Sequence, residues 1–319
     1  MEVLIDNRNG TVWEMPVKSV SWKTARIGKV GSVEIELING FPLKYPINSG
    51  DTVRIVDDKD KVFFGYVFEV GIKKDSTISV KAYDQLKYLM YNDTFVFSAT
   101  TATAGIRKIV TDAKLKIGKF EETGYKVPAL VEDDKKALDV ATKFLDSTLI
   151  ATNRNFVLFD NFGALDLRNI NNMKIPADTF FIGEGSLLFD FDYKKSIDEE
   201  TYNRVKLVQD NKKTSKREVY IAQDSASIAK WGRLQEFKKV DENMKPAQIK
   251  DILERMIKLR NRETKTMSLE CLGSWKVRAG SFVMIYIEKI GVKDYFLVNE
   301  CDHKWEQGVH QMSLELKVI

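Results

Sequence analysis

Histidine, cysteine and long apolar runs are what this sequence has least of. Two histidines, His303 and His310, and two cysteines, Cys271 and Cys301, are spread over 319 residues. No Cys-x-x-Cys or His-x-His pair and no third ligand accompanies them, so the spacing of a metal site is missing. The histidines lie on the last two expected strands and could face each other across a hairpin. Sheet packing or a polar surface role is the reading their surroundings favour. The cysteines sit in strand-like runs and read as buried thiols, which fits synthesis in a reducing cytosol. No apolar run approaches the roughly 18–20 residues a membrane helix needs, so no membrane anchor is expected. The opening MEVLIDNRNG lacks the basic-then-apolar pattern of a secretory leader. Charge of one sign is scarce too: 50 basic against 46 acidic residues leave +4. With the two signs interspersed, that excess is too mild for a nucleic-acid footprint. G-x-S-x-G, Walker A and G-x-G-x-x-G are all absent, and Gly183-Glu184-Gly185 is a two-glycine turn without a phosphate-loop context.

What is present is β-signal. Hydrophobic residues at 44% and charged ones at 30% are those of an ordinary globular protein, long enough for two or three domains. Residues 49–89 are a chain of β-signals with a helical stop, around which the rest is arranged. Gly50-Asp51 turns into Val53 and Ile55, which alternate with Thr52 and Arg54 as in a half-buried strand. The run 57–60 is a hairpin loop. A long strand, 62–70, follows, in which Gly65 marks a bulge or tight bend. A third strand alternates Ile78, Val80 and Ala82. Asp84 can cap a short helix whose Leu86, Leu89 and Met90 share a face, and this helix is expected to plug the curled sheet.

Before this stretch come short strands around 1–5, 12–13, 17–22 and 33–37, with Asn9-Gly10 as a hairpin signal. The two prolines of Phe41-Pro42 to Tyr45-Pro46 give a rigid connection. After it the period changes. Ile106, Ile109, Val110 and Ala113 predict one helix, with Thr101 or Thr103 as cap. Ala137, Leu138, Ala141, Phe144 and Leu145 predict a second, and 151–159 with 164–169 a hairpin. Strands return at 187–193, 202–208 and 218–222. Helices are expected at 225–231, stopped by Gly232, and at 247–260, opened by Pro246. Strands at 266–272, 281–288, 295–303 and 309–318 close the chain. The fold class expected is α+β and β-rich. Two small tube-like β-barrels, 1–95 and 186–319, would flank a middle α/β domain, 96–185, with helical insertions in the second barrel region.

The end of the chain echoes its opening. Gly50-Asp51-Thr52-Val53-Arg54-Ile55 resembles Gly280-Ser281-Phe282-Val283-Met284-Ile285. Phe64 stands before Ile78-Ser79-Val80-Lys81 as Phe296 stands before His310-Gln311-Met312-Ser313. Residues 49–83 and 278–316 are therefore expected to superpose as sheets of two separate barrels, not to lie in one continuous sheet. The segments G-D-x-V-R-I, V-F-F-G-Y-V and V-K-A-Y-D-Q-L-K-Y-L also resemble the XkdQ/YqbQ-type baseplate hub proteins of contractile phage tails and phage-like bacteriocins. So do Tyr202-Asn203-Arg204-Val205, Ser227-Ile228-Ala229-Lys230-Trp231-Gly232, Val277-Arg278-Ala279-Gly280 and His310-Gln311-Met312-Ser313-Leu314, in that order over nearly the whole chain. The resemblance implies a homotrimeric ring of two tube-like units per chain. That ring would join the sixfold tail tube to the central spike, with other baseplate proteins as partners, in a virion or tail-like particle assembled in the bacterial cytoplasm. No lysozyme-like or spike segment follows within the 319 residues, so cell-wall cleavage is not expected.

Acidic clusters at 57–60, 121–122, 132–134 and 198–200 fall in loops and at helix starts, where solvation or capping accounts for them. A glycosidase would need two carboxyls about 5–9.5 Å apart in a cleft. The basic patch 211–217 reads as a hairpin tip, solvated or a subunit contact. Phe63, Phe64, Tyr66 and Phe68 could stack bases on a barrel, but neighbours on both faces of one strand suit core plus subunit contact better. No catalytic, cofactor or metal residue is expected. The candidate subunit-interface residues are Phe63, Tyr66, Phe68, Phe180 and Phe181. The rival readings are a tail-associated cell-wall hydrolase and a nucleic-acid-binding barrel protein.

Overall fold

The computed structural model describes residues 1–38, 46–198, 200–211, 216–240, 242 and 244–317. Most of the proline-bounded connection, 39–45, and the middle of the basic patch, 212–215, lie outside the described residues. In the first part of the chain β1 (Glu2–Asp6), β2 (Val12–Glu14), β3 (Val17–Ala25), β4 (Ser32–Leu37), β5 (Thr52–Asp57), β6 (Asp60–Ile72) and β7 (Ile78–Tyr83) precede a 3₁₀ turn, Gln85–Leu89. Next come β8 (Asn92–Phe97), β9 (Thr100–Thr101), α1 (Ala102–Asp112), β10 (Ile117–Phe120), β11 (Lys126–Val127), β12 (Leu130–Lys136), α2 (Ala137–Thr152), β13 (Phe156–Asp160) and β14 (Leu165–Asn169). The last part holds β15 (Phe181–Gly183), β16 (Leu188–Ser196), β17 (Arg204–Asn211), β18 (Lys216–Gln223), α3 (Ser225–Trp231), β19 (Gln235–Lys239), α4 (Pro246–Arg260), β20 (Thr264–Leu272), β21 (Phe282–Ile287), β22 (Val292–Glu306) and β23 (Val309–Lys317).

The class is β-rich α+β, as expected, but the barrels are not. Among the described residues thirteen strands form one sheet, in the order β16-β20-β23-β22-β3-β4-β7-β6-β5-β1-β2, with β21 on β22 and β15 on β21. Among those residues neither half closes on itself. The segments 49–83 and 278–316 therefore share one continuous sheet, which corrects the expectation of two separate barrels. The reason is β22: its Val292–Leu297 part pairs with β21, and its Glu300–Glu306 part pairs with β3 of the first half.

Within that sheet the strand order is nevertheless repeated. The path β3-β4-β7-β6-β5-β1 in one half runs as β16-β20-β23-β22-β21-β15 in the other. Gly50 and Gly280 both have φ +93°. Gly50 N–H donates to the Val67 carbonyl and Gly280 N–H to the Val298 carbonyl, each at 2.8 Å. One residue beyond those acceptors each long strand bulges, at Phe68 and at Asn299. A second shared bulge falls at Lys18 in β3 and Phe189 in β16. These landmarks equate Val67 with Val298, Val80 with Leu314, Val33 with Met267 and Trp22 with Tyr193. The match of Phe64 to Phe296 is thus one residue out and that of Ile78 to His310 two residues out. Bulges insert residues that a count along the sequence cannot see. Gly65 is not itself bulged. It pairs in register with Val53, and a Cβ there would run into the Tyr83 carbonyl and the Phe63 ring.

Local chemistry explains the helices. Thr101 caps α1 by accepting from Ala104 N–H at 3.2 Å, and Asp224 caps α3 by accepting from Ser227 N–H at 2.7 Å. Gly232 follows α3 with φ +77° and an extended ψ, so it ends the helix without the left-handed geometry expected. Ala102, Ile106, Ile109, Val110, Leu138, Ala141 and Phe144 build one core with β13 and β14. Leu86 and Leu89 belong to this core. The 3₁₀ turn therefore does not plug the first sheet, whose interior is Val3, Ile5, Val20, Trp22, Val33, Ile35, Val53, Ile55 and their neighbours. A third core lies under β20–β23. Between β16 and β20, α4 covers one face of the β18-β17-β19 sheet through Ile249, Leu253 and Met256.

Candidate assembly surface

The pairing of β22 with β3 is the only place where the main sheet's two halves join among the described residues. Its register sets Cys301 opposite Thr24, Asp302 opposite Lys23, His303 opposite Trp22 and Trp305 opposite Val20. Side chains pointing inward are sealed: Val20 and His303 are 0% exposed and Trp22 is 5% exposed. On the outer face Lys23 meets Asp302 at 2.8 Å and Lys29 meets Glu300 at 2.5 Å. At the bulge, Arg26 N–H donates to the Asn299 carbonyl at 2.8 Å and its Nε to Asn299 Oδ1 at 3.0 Å.

The two histidines meet behind this joint. His303 Nδ1 lies 2.9 Å from His310 Nε2, and His303 Nε2 lies 2.9 Å from the Val277 carbonyl. A carbonyl can only accept, so His303 carries its proton on Nε2 and accepts from His310 through Nδ1. Trp22 stacks on His303 and Trp275 on His310, with ring centroids 5.1 and 3.7 Å apart. Burial, helped by the neighbouring histidine, pushes His303 down to about 3, and burial pushes His310 down to about 4. Both rings are neutral at pH 7. Burial works against charge on Asp57 as well. There, hydrogen bonds from Trp275 Nε1 at 2.7 Å and from the Met1 ammonium at 3.0 Å prevail and keep the carboxyl below its ordinary value. The histidines thus pack the sheet from inside, and a surface role is ruled out for His303. No group of three or more His, Cys, Asp or Glu that could hold a metal occurs among the described residues.

Arg278 is buried between Phe159 and Trp22. Its guanidinium lies 4.0 Å over Phe159 and 5.9 Å over Trp22, and Nη1 donates to the Asp160 carbonyl at 3.0 Å. Burial drives Arg278 below its usual value. Burial and the Asp160 charge raise Asp84 well above its own, and burial raises Asp160 to about 6. Asp84 caps the 3₁₀ turn through Leu86 N–H at 2.9 Å, as expected. Asp160 Oδ1 accepts from Gly163 N–H at 2.8 Å. In the sequence Arg278 stands out only within Val277-Arg278-Ala279-Gly280, one of the segments of the family resemblance; nothing in its neighbours announces its burial.

The interface candidates fall in different places. Phe63 is 3% exposed and sits in the first core, so it offers no surface. Tyr66 is half-buried, with Arg8 at 4.6 Å over its ring. Phe68 is 39% exposed and packs edge-on to Tyr83, with centroids 5.2 Å apart. Phe64 meets Tyr66, and Tyr66 meets Tyr88, at interplanar angles of 84° and 73°. Rings held edge to face cover one another's faces and present no flat platform for bases. Phe180 packs on the third core, while Phe181 is exposed. These residues do not form one patch. A cleft of about 320 Å³ lies elsewhere, lined by Arg26, Asp146, Glu200 and Arg260 over Leu138 and Leu145. Burial raises Asp146, whereas ion pairs to Lys317 and Arg260 outweigh burial and lower Glu200. Glu200 is therefore committed to two cations, not free in a solvated loop as expected.

A repeated six-strand order, fused edge to edge within one chain, is a fold shared with phage tail proteins. The 43 kDa tail protein of prophage MuSo2 from Shewanella oneidensis matches with a TM-score of 0.73 at 14% identity, over 99% of this chain and 98% of that one. The chain belongs to the YQBQ-like family, whose model matches residues 20–317. Two Bacillus subtilis (strain 168) proteins, the uncharacterized protein YqbQ and the phage-like element PBSX protein XkdQ, are each 27% identical to it. Each alignment covers 96% of this chain and 94% of the relative.

Proposed function

We propose that this chain is a structural baseplate hub subunit of a contractile phage tail or tail-like bacteriocin particle. Three copies form a ring that joins the sixfold tail tube to the central spike, and the protein acts by assembly, not by catalysis. The observation that carries this reading is the repeated sheet. One chain holds the same strand order twice, so three chains present six similar units, which is what a threefold body needs to cap a sixfold tube. Residues 1–95 and 186–319 would supply the tube-like units and 96–185 the part between them. Similarity to a phage-like element protein supports a tail role, as does the fold shared with a prophage tail protein. Tube, spike and other baseplate proteins are the partners, and the assembled particle is where the chain resides.

The test is co-expression with tail tube and central spike proteins of the same particle, followed by mass measurement of the purified complex. Three hub chains per complex are expected. A hub that stays monomeric with both partners present would end this reading. Release of soluble fragments from purified peptidoglycan, abolished by Asp146→Asn, would replace it with the hydrolase.

A further inference from the structure

The joint inside the chain has an equivalent that the chain cannot make by itself. β22 uses one flank twice, first for β21 and then, past the Asn299 bulge, for β3. β6 uses the matching flank for β5 as far as Tyr66, and past the Phe68 bulge no strand among the described residues follows. β3 has β4 on one flank and β22 on the other. Among the described residues its counterpart β16 has only β20 and ends the sheet. Six strands separate β6 from β16, on the order of 30 Å along the sheet, and within one chain they do not pair.

We infer that β6 beyond Phe68 pairs antiparallel with β16 of a second copy, in the register that the internal joint dictates. Carrying Cys301–Thr24, His303–Trp22 and Lys304–Ser21 across the repeat puts Val70 opposite Lys195, Ile72 opposite Tyr193 and Lys73 opposite Asp192. The pairing rests on the ring proposed above and specifies its contact.

Exposure supports it independently. In the internal joint His303 and Trp22 are buried, whereas Ile72, the counterpart of His303, is 61% exposed. Phe191 and Tyr193, the counterparts of Val20 and Trp22, are only half-buried at the edge of the third core. An unpaired edge with apolar residues facing outward is a strand-pairing site. Lys73 against Asp192 adds a charge match at the end of the register. Since β6 and β16 are different edges, the contact is heterologous and closes as a ring or runs on as a filament.

Cysteine trapping tests the register. Lys73→Cys combined with Asp192→Cys changes two exposed side chains, and Ile72→Cys with Tyr193→Cys probes the adjacent row. The native thiols of Cys271 and Cys301 are buried and do not compete. Mild oxidation of concentrated protein is expected to give covalent dimer and trimer from both pairs. Ile72→Cys with Phe191→Cys, a two-residue slip, should give at least tenfold less. Trimers by native mass with no cross-link at either pair, or with equal trapping of the slipped pair, overturn the register and leave the ring. Protein that remains monomeric by mass in the presence of its tube and spike partners and gives no covalent oligomer overturns both.

Discussion

Gly50 and Gly280 hold the same backbone angle, φ +93°, at the same step of a repeated fold, but against different surroundings. A Cβ on Gly50 would meet nothing within 4 Å, whereas one on Gly280 would approach Val157 to 3.0 Å. Both alanine variants incur the cost of a positive φ, about 1–2 kcal/mol. Gly280→Ala should lose more, because Val157 is itself buried, packed with Phe159, Ile170 and Leu297. Urea unfolding of the two variants would show the order, and equal losses would contradict it.

Acid should weaken the joint between the halves. His303 titrates near 3 when folded and near 6.5 when unfolded, so its depressed value favours the folded state fully only above pH 6.5. As pH falls below 6.5 the unfolded chain takes up the proton first. Stability then drops by about 1.4 kcal/mol per pH unit from this group until about pH 3. His310 adds a smaller loss down to about 4, reduced by its partial exposure to water. Asp84 and Asp160, raised on folding, act with the opposite sign in acid. The comparison is therefore wild type against His303→Gln, whose unfolding free energy should fall less steeply between pH 6.5 and 4.5.

Removing Arg278 deletes the buried cation whose charge favours the ionised forms of Asp84 and Asp160. Arg278→Met is expected to cost about 3–5 kcal/mol, the range for breaking a buried charge group by deleting one partner. In an Asp160→Asn background the same change should cost less, and the coupling energy from the four unfolding curves measures their interaction. Additive losses would mean that Arg278 acts only through its packing on Phe159.

Ile72→Asp separates folding from assembly. The side chain is largely exposed in the single chain, so unfolding free energy should move by no more than about 0.5 kcal/mol. If β6 is an assembly edge, the ring should be lost. A normal yield of trimer from this variant would show that Ile72 lies outside any contact.

Much of the fold could be read from local pattern. Alternation gives β5, β7 and β23, the bounds of α3 fall where Asp224 and Gly232 set them, and α4 starts at Pro246. What could not be read is which elements meet. The amphipathic face of Leu86 and Leu89 shows that they are buried, not that they are buried against Phe144's core. The pairing of β22 with β3 spans most of the chain and leaves no local signal, since an edge strand has the same alternation before and after it is paired. Phe63 misled as an interface residue because the Val62 and Phe68 positions both break the register of β6, so parity along the strand does not give the face.

If the proposed ring forms, the internal joint also changes what evolution can do with it. In a hexamer of identical chains every seam must be the same seam, and any substitution appears six times. Here the seam at His303 and Trp22 is tethered by its own polypeptide, so it forms at an effective concentration that dilution cannot lower. The edges of β6 and β16 are under no such obligation. Alternate seams can then drift apart in strength: one permanent, the other free to open when an assembly must be built or taken apart.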